Sequence, residues 1–427
     1  MTADASGQPT SAPQPFLLKF ITCSHCWHRF HASDIAWVAR HEDLRGDLVL
    51  GQDAFLRFMP TRFNVAGEAL DGRGMPCQVL ACPRCHLPIA RVFLKYEPII
   101  FSLIGVPFSG KSYYLTAMSW EMSRLLPSRF GLAFNDVDPG SNVTLSEYQK
   151  TLFLQKDGQQ LVGIVKTQLD SAAHYDQTNL EGQTVLLPRP LLYSLRPLNS
   201  HAQSDKAEQL TRVLCLYDNA GEHFLPGQDT TLAPGTQHLA RSKVLMFAYD
   251  PVQDPRFRQR CLSLSDDPQL ADLAHTQLQS TVLLEAANRA RQYSHLSPTQ
   301  RLAQPLLVLV VKSDIWGRLL DEDICGEPVL EGPPGGGAAL DTGRIERISG
   351  KLRTLMRELA PEFVAAAEDS CSQVLYFPVS SLGCSPRKLG DSPMLMVRAQ
   401  DIQPRWVTAP ILYAFAKWAT GIVPMRD

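Results

Sequence analysis

From Ile99 onward, short apolar runs alternate with longer stretches in which apolar residues recur at the helical period. The runs Ile99–Ile104, Leu191–Leu198, Val213–Tyr217, Val244–Tyr249, Leu306–Val311 and Val374–Val379 are predicted strands. Helices are predicted after Gly110 and across Leu270–Tyr293, Thr342–Leu359 and Ala409–Ala419. Strands that alternate with helices in this way predict an α/β fold with a mainly parallel sheet. Two intervening stretches, Asn199–Ala207 and Glu327–Ala339, have the composition of exposed loops, the second carrying a Gly/Pro run. Upstream the pattern differs. Phe16 to Leu94 has short apolar runs broken by Gly and Pro, and is rich in Cys, His and aromatic residues. Met1 to Pro15 carries Ala, Ser, Gln and Pro without a basic n-region or an apolar h-region, so it reads as a disordered tail rather than a secretory signal. The expected division is therefore a tail at 1–15, a small module at 16–95 and an α/β domain at 96–427.

Composition adds little to this picture. A chain of 427 residues with 44% hydrophobic and 20% charged positions suits two or three globular domains. A formal net charge of -2 gives no global attraction to nucleic acid or to an anionic membrane, so neither is an expected partner. No apolar run is long enough to cross a bilayer. The cysteines carry more information. Four of the ten stand as two C-x-x-C pairs and the rest are scattered, which points to metal ligands in a cytoplasmic chain rather than a disulfide framework.

The strongest chemical signal is the run Gly105-Val106-Pro107-Phe108-Ser109-Gly110-Lys111-Ser112, which fits G-x-x-x-x-G-K-[ST] at every fixed position. A buried strand enters it and a helix from Ser112 leaves it, as that motif requires. Glycines let the backbone curl and aim its N–H groups at phosphate oxygens, and the helix N-terminus adds positive potential. Lys111 is placed to reach the β- and γ-phosphates, and the Ser112 hydroxyl to ligate Mg²⁺. Gly105, Ser109, Gly110 and Tyr113 complete the expected phosphate-side contacts.

Three further strand ends follow in order. Arg212–Tyr217 runs into Asp218-Asn219-Ala220-Gly221-Glu222, where the carboxylate of Asp218 can hold Mg²⁺ and Gly221 can offer an N–H to a γ-phosphate. Pro305–Val311 runs into Lys312-Ser313-Asp314. This resembles the N/T-K-x-D guanine motif, and the resemblance implies that Asp314 accepts two hydrogen bonds from guanine while the stem of Lys312 covers the purine face. The alternative for Asp314 is a helix-start cap after a core strand. Val374–Val379 runs into Ser380-Ser381-Leu382-Gly383, which is similar to the short S-A-K/L loop whose backbone N–H contacts the guanine oxygen.

In the upstream module, Cys23-Ser24-His25-Cys26 and Cys82-Pro83-Arg84-Cys85 form two knuckles separated by 55 residues. Short apolar runs, Leu18–Thr22 and Val79–Ala81, suit strands entering each knuckle. Four thiolates, Cys23, Cys26, Cys82 and Cys85, would give a closed structural Zn²⁺ site if the insert lets the knuckles meet. Cys77, His25, His28 and His86 lie close enough in sequence to substitute.

Asp218-Asn219-Ala220-Gly221 resembles the D-x-x-G switch motif of Ras-like and translation-factor GTPases, and Lys312-Ser313-Asp314 resembles their N/T-K-x-D guanine motif. With the phosphate loop and the Ser380–Leu382 loop in the same order, the chain looks like a TRAFAC-clade GTPase. Its layout from Ile99 to Pro424 is similar to the bacterial double-GTPase type, which often carries N-terminal zinc ribbons. The resemblance implies a three-layer P-loop NTPase fold behind a zinc ribbon. It also implies a Mg²⁺-dependent switch that binds GTP and GDP and engages protein partners. Val311 stands where the guanine motif has Asn or Thr, so the side chain that normally ties the base loop to the phosphate loop is missing. The spacings of 107 residues from Lys111 to Asp218 and 96 from Asp218 to Asp314 imply insertions, with Thr178 or Thr184 as the switch threonine that completes the Mg²⁺ shell. Glu222 occupies the position of the water-orienting glutamine. A carboxylate is repelled by the γ-phosphate there, so His223 is the other candidate for orienting water; the alternative for both is a solvated loop residue. Slow intrinsic hydrolysis is expected. Two alternatives stand beside the switch: a nucleotide-gated scaffold with little hydrolysis, and an ATP-using P-loop ATPase, which Val311 leaves open.

Overall fold

A computed structural model describes residues 17–138, 140–164, 175–219, 224, 236–271, 278–332, 337–388, 395–419 and 421–426. The chain divides into two compact units, 1–98 and 99–427.

In the first unit each C-x-x-C sequence joins the strands of a short antiparallel hairpin. Phe20–Thr22 pairs with Arg29–His31, and Leu80–Ala81 pairs with Pro88–Ile89. The second hairpin extends into a four-stranded sheet through Ala36–Val38 and Arg57–Phe58. The insert between the knuckles adds the hairpins Arg45–Asp47/Gly51–Phe55 and Ala69–Leu70/Pro76–Cys77. Such short strands leave many backbone N–H groups without ladder partners, and two buried carboxylates take them up. Asp47 accepts from the N–H groups of Val49, Leu50 and Arg57, and pairs with the His86 ring at 2.8 Å. Asp71 accepts from those of Arg40, His41, Arg73 and Met75. Burial alone would raise the Asp71 carboxyl, but these four bonds hold it down to about 2.

The second unit is built on a seven-stranded sheet. Its strands in chain order are β1 (Pro98–Gly105), β2 (Leu132–Asp136), β3 (Leu191–Pro197), β4 (Arg212–Asp218), β5 (Val244–Tyr249), β6 (Leu306–Val310) and β7 (Val374–Pro378). Their spatial order is β2-β3-β4-β1-β5-β6-β7. β1, β5, β6 and β7 run parallel, whereas β2, β3 and β4 pair antiparallel along the other half. The parallel strands are apolar on both faces, and every residue of β6 is fully buried. Sequence periodicity places six of the seven strands within a residue or two. It misses β2, whose Leu132–Asp136 run is short and half polar.

The longer helices are α1 (Lys111–Leu125), α2 (Val143–Phe153), α3 (Gln279–Tyr293), α4 (Thr342–Leu359), α5 (Pro361–Ser370) and α6 (Ala409–Trp418), with shorter ones between, His238–Arg241 among them. α4 is amphipathic. Ile345, Ile348, Leu352, Met356 and Leu359 recur at three- and four-residue spacing and are buried where α4 packs on β7 and α5. The Asp341 carboxylate caps it through the Arg344 N–H at 2.8 Å. The helix expected over Leu270–Tyr293 is shorter than its pattern. Pro268–Leu270 is a 3₁₀ turn capped by Asp267, residues 272–277 lie outside the described set, and α3 starts at Gln279.

Both expected loops carry more order than their composition suggests. Val329–Leu330 pairs with Ala339–Asp341, and Ala338 and Ala339 are buried. In the Asn199–Ala207 stretch His201 is buried and Ser204–Lys206 forms a 3₁₀ turn. The tail expected at Met1–Pro15 lies outside the described residues. Among the described residues no helix is long and apolar enough to cross a membrane.

The turn after β7 depends on one glycine. Gly383 has φ +70°, and a Cβ added there would lie 1.9 Å from the Gln403 carbonyl oxygen. Gly383→Ala is expected to destabilise the second unit by more than about 1 kcal/mol, because the left-handed backbone and the clash act together. A thermal melt followed by circular dichroism checks this, and an unchanged midpoint would contradict it.

Candidate functional site

The phosphate-loop sequence turns sharply out of β1. Gly105 has φ +156° and sits so close to β5 that a Cβ would approach the Ala248 carbonyl oxygen to 2.8 Å. Phe108 and Gly110 are left-handed, at φ +64° and +84°. Ser109 is buried and donates to the Val106 carbonyl at 2.9 Å. Lys111 folds back over the loop, its Nζ donating to the Gly105 and Val106 carbonyls at 3.0 Å each. Ser112 is the second residue of α1, and no side chain caps the start of that helix. A backbone of this shape directs first-turn N–H groups at an anion.

Asp218 closes β4. Its Oδ1 is buried and has no hydrogen-bond partner among the described residues. Burial pushes the carboxyl up to about 6, opposed by the charge of Lys111. An orphaned carboxylate oxygen that feels the charge of Lys111 has the chemistry of a divalent-cation ligand. The following Asn219 is locked in place. Its backbone N–H and Nδ2 both donate to the Leu103 carbonyl, and its Oδ1 meets His238 Nε2 at 2.9 Å. His238 Nδ1 in turn bonds Ser102, giving a buried polar chain across β1, β4 and the His238–Arg241 helix. Gly221, Glu222 and His223 lie outside the described residues.

Lys312 and Asp314 follow β6. Lys312 is left-handed at φ +57°, and its Nζ lies 2.6 Å from Oδ2 of the fully buried Asp250. The Asp314 carboxylate accepts a hydrogen bond from the Ser380 hydroxyl, which itself accepts from the Gly383 N–H at 2.8 Å. Ser380 therefore orients Asp314. Its own N–H is committed to the Arg405 carbonyl, and the Leu382 carbonyl accepts from the Gln403 N–H at 2.7 Å, so the loop is pinned at both ends.

A cleft joins these motifs. It encloses about 690 Å³ including the solvent at its mouth. Ser109, Gly110 and Tyr113 line it from the phosphate loop, Lys312 and Asp314 from the end of β6, and Ser380, Ser381 and Leu382 from the end of β7. Gly105, Lys111, Ser112 and Asp218 are not among its lining residues, nor are Thr178 and Thr184. Thr178 and Thr184 belong to the antiparallel hairpin Tyr175–Leu180/Gln183–Pro188, where Thr178 faces Val185 and is buried. One wall of the cleft was invisible to motif reading. Val162, Leu395 and Val397 come from a small three-stranded sheet of Leu161–Val162, Leu395–Arg398 and Arg387–Lys388, whose strands are too short to show a period. Tyr113 braces this wall, its hydroxyl accepting from the Ile164 N–H at 2.8 Å.

In the first unit the four knuckle cysteines converge. Their sulfurs all lie within 4.8 Å of one another, and the Cys23–Cys85 and Cys26–Cys82 separations are both 3.7 Å. The edge of a tetrahedron with Zn–S bonds of about 2.3 Å is roughly 3.8 Å, so the spacing fits a tetrahedral thiolate site and is far too long for a disulfide. The two knuckles repeat one geometry. The His25 and Arg84 N–H groups donate to Cys23 and Cys82 sulfurs, and Trp27 and His86 are both left-handed. Hydrogen bonds from the other three cysteines hold Cys26 far below the usual thiol range, while burial pushes Cys23 up. Cys77, His25, His28 and His86 stand outside the cluster.

No family model matches the sequence, and no curated protein does. Among solved structures, the chain has a weak likeness to the signal recognition particle receptor SRb-GTP/SRX complex from Chaetomium thermophilum. That likeness covers 69% of this chain and 93% of that one at 14% identity, with a TM-score of 0.24.

Purified protein is expected to carry one equivalent of Zn²⁺, and Cys82→Ala to lose it and expose the first unit to proteolysis. Elemental analysis with limited proteolysis checks this; a metal-free, protease-resistant wild type would contradict it.

Proposed function

We propose that the second unit is a P-loop nucleotide-binding domain of the three-layer type. It binds GTP and GDP with Mg²⁺, hydrolyses GTP slowly and acts as a switch. The observation that carries this reading is the cleft itself. Phosphate-loop residues, Lys312 with Asp314, and Ser380 to Leu382 are spread along the chain from Ser109 to Leu382, yet they line one cavity.

The roles follow from the chemistry of each group. Backbone N–H groups of Gly105 to Ser112 and the uncapped start of α1 would cradle the phosphates. Lys111, now on the loop carbonyls, would exchange them for phosphate oxygens at no cost in bond number. Ser112 and Asp218 would hold Mg²⁺, which when bound neutralises charge on the phosphate oxygens. Asp314, fixed by Ser380, would accept from the guanine ring N–H and amine. Adenine lacks that donor pair and would leave the carboxylate desolvated and unpaired. Gly221, Glu222 and His223 follow Asp218 directly and would meet the γ-phosphate. A carboxylate at Glu222 disfavours fast turnover, so a partner that supplies positive charge is expected to accelerate it. We assign the first unit a structural Zn²⁺ on Cys23, Cys26, Cys82 and Cys85, with its insert as the partner-facing surface.

Equilibrium titration of GTP, GDP and ATP with Mg²⁺ tests the reading. Guanine nucleotides are expected to bind at least about tenfold tighter than ATP, a difference of about 1.4 kcal/mol. Lys111→Ala is expected to abolish that binding while leaving the fold intact. Equal or tighter binding of ATP would refute guanine selectivity and make the domain an adenine-nucleotide ATPase.

A further inference from the structure

Val311 cannot tie the base motif to the phosphate loop, because its side chain has no polar atom and is buried. A different set of buried residues spans the same gap. Gln253 follows β5 in the turn Pro251–Gln253, and its Nε2 donates to the Pro107 carbonyl of the phosphate loop at 3.0 Å. The same Nε2 donates to Asp250 Oδ2 at 3.2 Å, and that oxygen accepts from Lys312 Nζ at 2.6 Å. Asp250 is itself anchored. Its Oδ1 accepts from the Val252 N–H, and its backbone N–H and carbonyl exchange bonds of 2.8 Å with the Gln279 side chain on α3.

The orientation of the Gln253 amide is dictated by its surroundings. Both neighbours, the Pro107 carbonyl and the Asp250 carboxylate, are acceptors, so only the NH₂ end can face them. The carbonyl end, Oε1, is left buried without a partner. Such a group costs about 1–3 kcal/mol. A leucine of similar size would avoid that cost, so the cost argues that the amide is retained for what it connects.

We infer that Gln253, Asp250 and Lys312 form a positioning relay that fixes the phosphate loop relative to the base motif, replacing the tie that Val311 cannot provide. This rests on the nucleotide-binding reading, but not on the choice of base. Neither Gln253 nor Asp250 lines the cleft, so both act through Pro107 and Lys312. Rigidity between the two halves of the site matters only to a ligand that spans them. A nucleotide spans both, whereas pyrophosphate occupies the phosphate loop alone.

The test compares the full-length wild type and Gln253→Leu for binding of GDP, ADP and pyrophosphate with Mg²⁺, beside thermal melts of both proteins. Gln253→Leu is expected to weaken the nucleoside diphosphate that the wild type prefers by about 10- to 100-fold, the range of a lost buried tie, while pyrophosphate binding holds within about twofold. A merely structural role would lower all three together or none. If Gln253→Leu fails to fold, the isosteric Asp250→Asn, which weakens the hold on Lys312, is expected to give the same separation. A wild type that prefers ADP but shows this split would overturn guanine selectivity and support the relay. A wild type that prefers GDP with no split in the folded variant would overturn the relay alone. A wild type that binds neither nucleotide would overturn both.

Discussion

The second unit depends on the parallel register of four strands. Gly105 of β1 lies opposite Ala248 of β5, Tyr249 of β5 opposite Val310 of β6, and Val310 opposite Pro378 of β7. Strands paired in this way end at one height, so the chain leaving each of them emerges at one edge of the sheet. Phosphate loop, Asp250 turn, base motif and Ser380 loop are neighbours for that reason alone. Because these strands are apolar on both faces, the register is held by the fit of particular side chains against the covering helices, which a slip of one residue would undo.

That edge carries three carboxylates with different electrostatic fates. Asp250 is neutralised by Lys312 and by backbone N–H groups, and behaves as part of the scaffold. Asp314 is held by the Ser380 hydroxyl, a neutral donor that fixes orientation without cancelling charge. Asp218 keeps an oxygen with no hydrogen-bond partner among the described residues, and only the charge of Lys111 offsets its burial. The series runs from close pairing to the weakest compensation, and the least compensated group is the one with the chemistry of a divalent-cation ligand.

Most of the sheet was legible because buried parallel strands are continuous apolar runs that need no tertiary knowledge to recognise. Thr342–Leu359 was legible to the residue, since an amphipathic stripe and an aspartate cap both mark it. The cleft was legible only in its motif half. Its other wall rests on two- and four-residue strands, too short for periodicity, and Val162 pairs there with Val397 across 235 positions of sequence. The Gln253 relay was hidden for a related reason. A glutamine two residues past a proline has no signature until the fold brings the Pro107 carbonyl to it. Ser380 was read as a ligand contact from its loop, while its bond to Asp314 gives it a supporting part.

The first unit has a consequence for sequence change. Its insert is held by Asp47, Asp71 and the four knuckle sulfurs, which bind mostly main-chain N–H groups and each other, the Asp47–His86 pair being the side-chain contact among them. Large apolar residues such as Leu48 and Val65 stand out in solvent there and contribute nothing to burial. Six anchoring residues thus leave most outward positions of the insert free to drift. A surface with so few constraints can be respecified quickly over generations, while the cleft of the second unit, wired residue to residue, has to stay as it is.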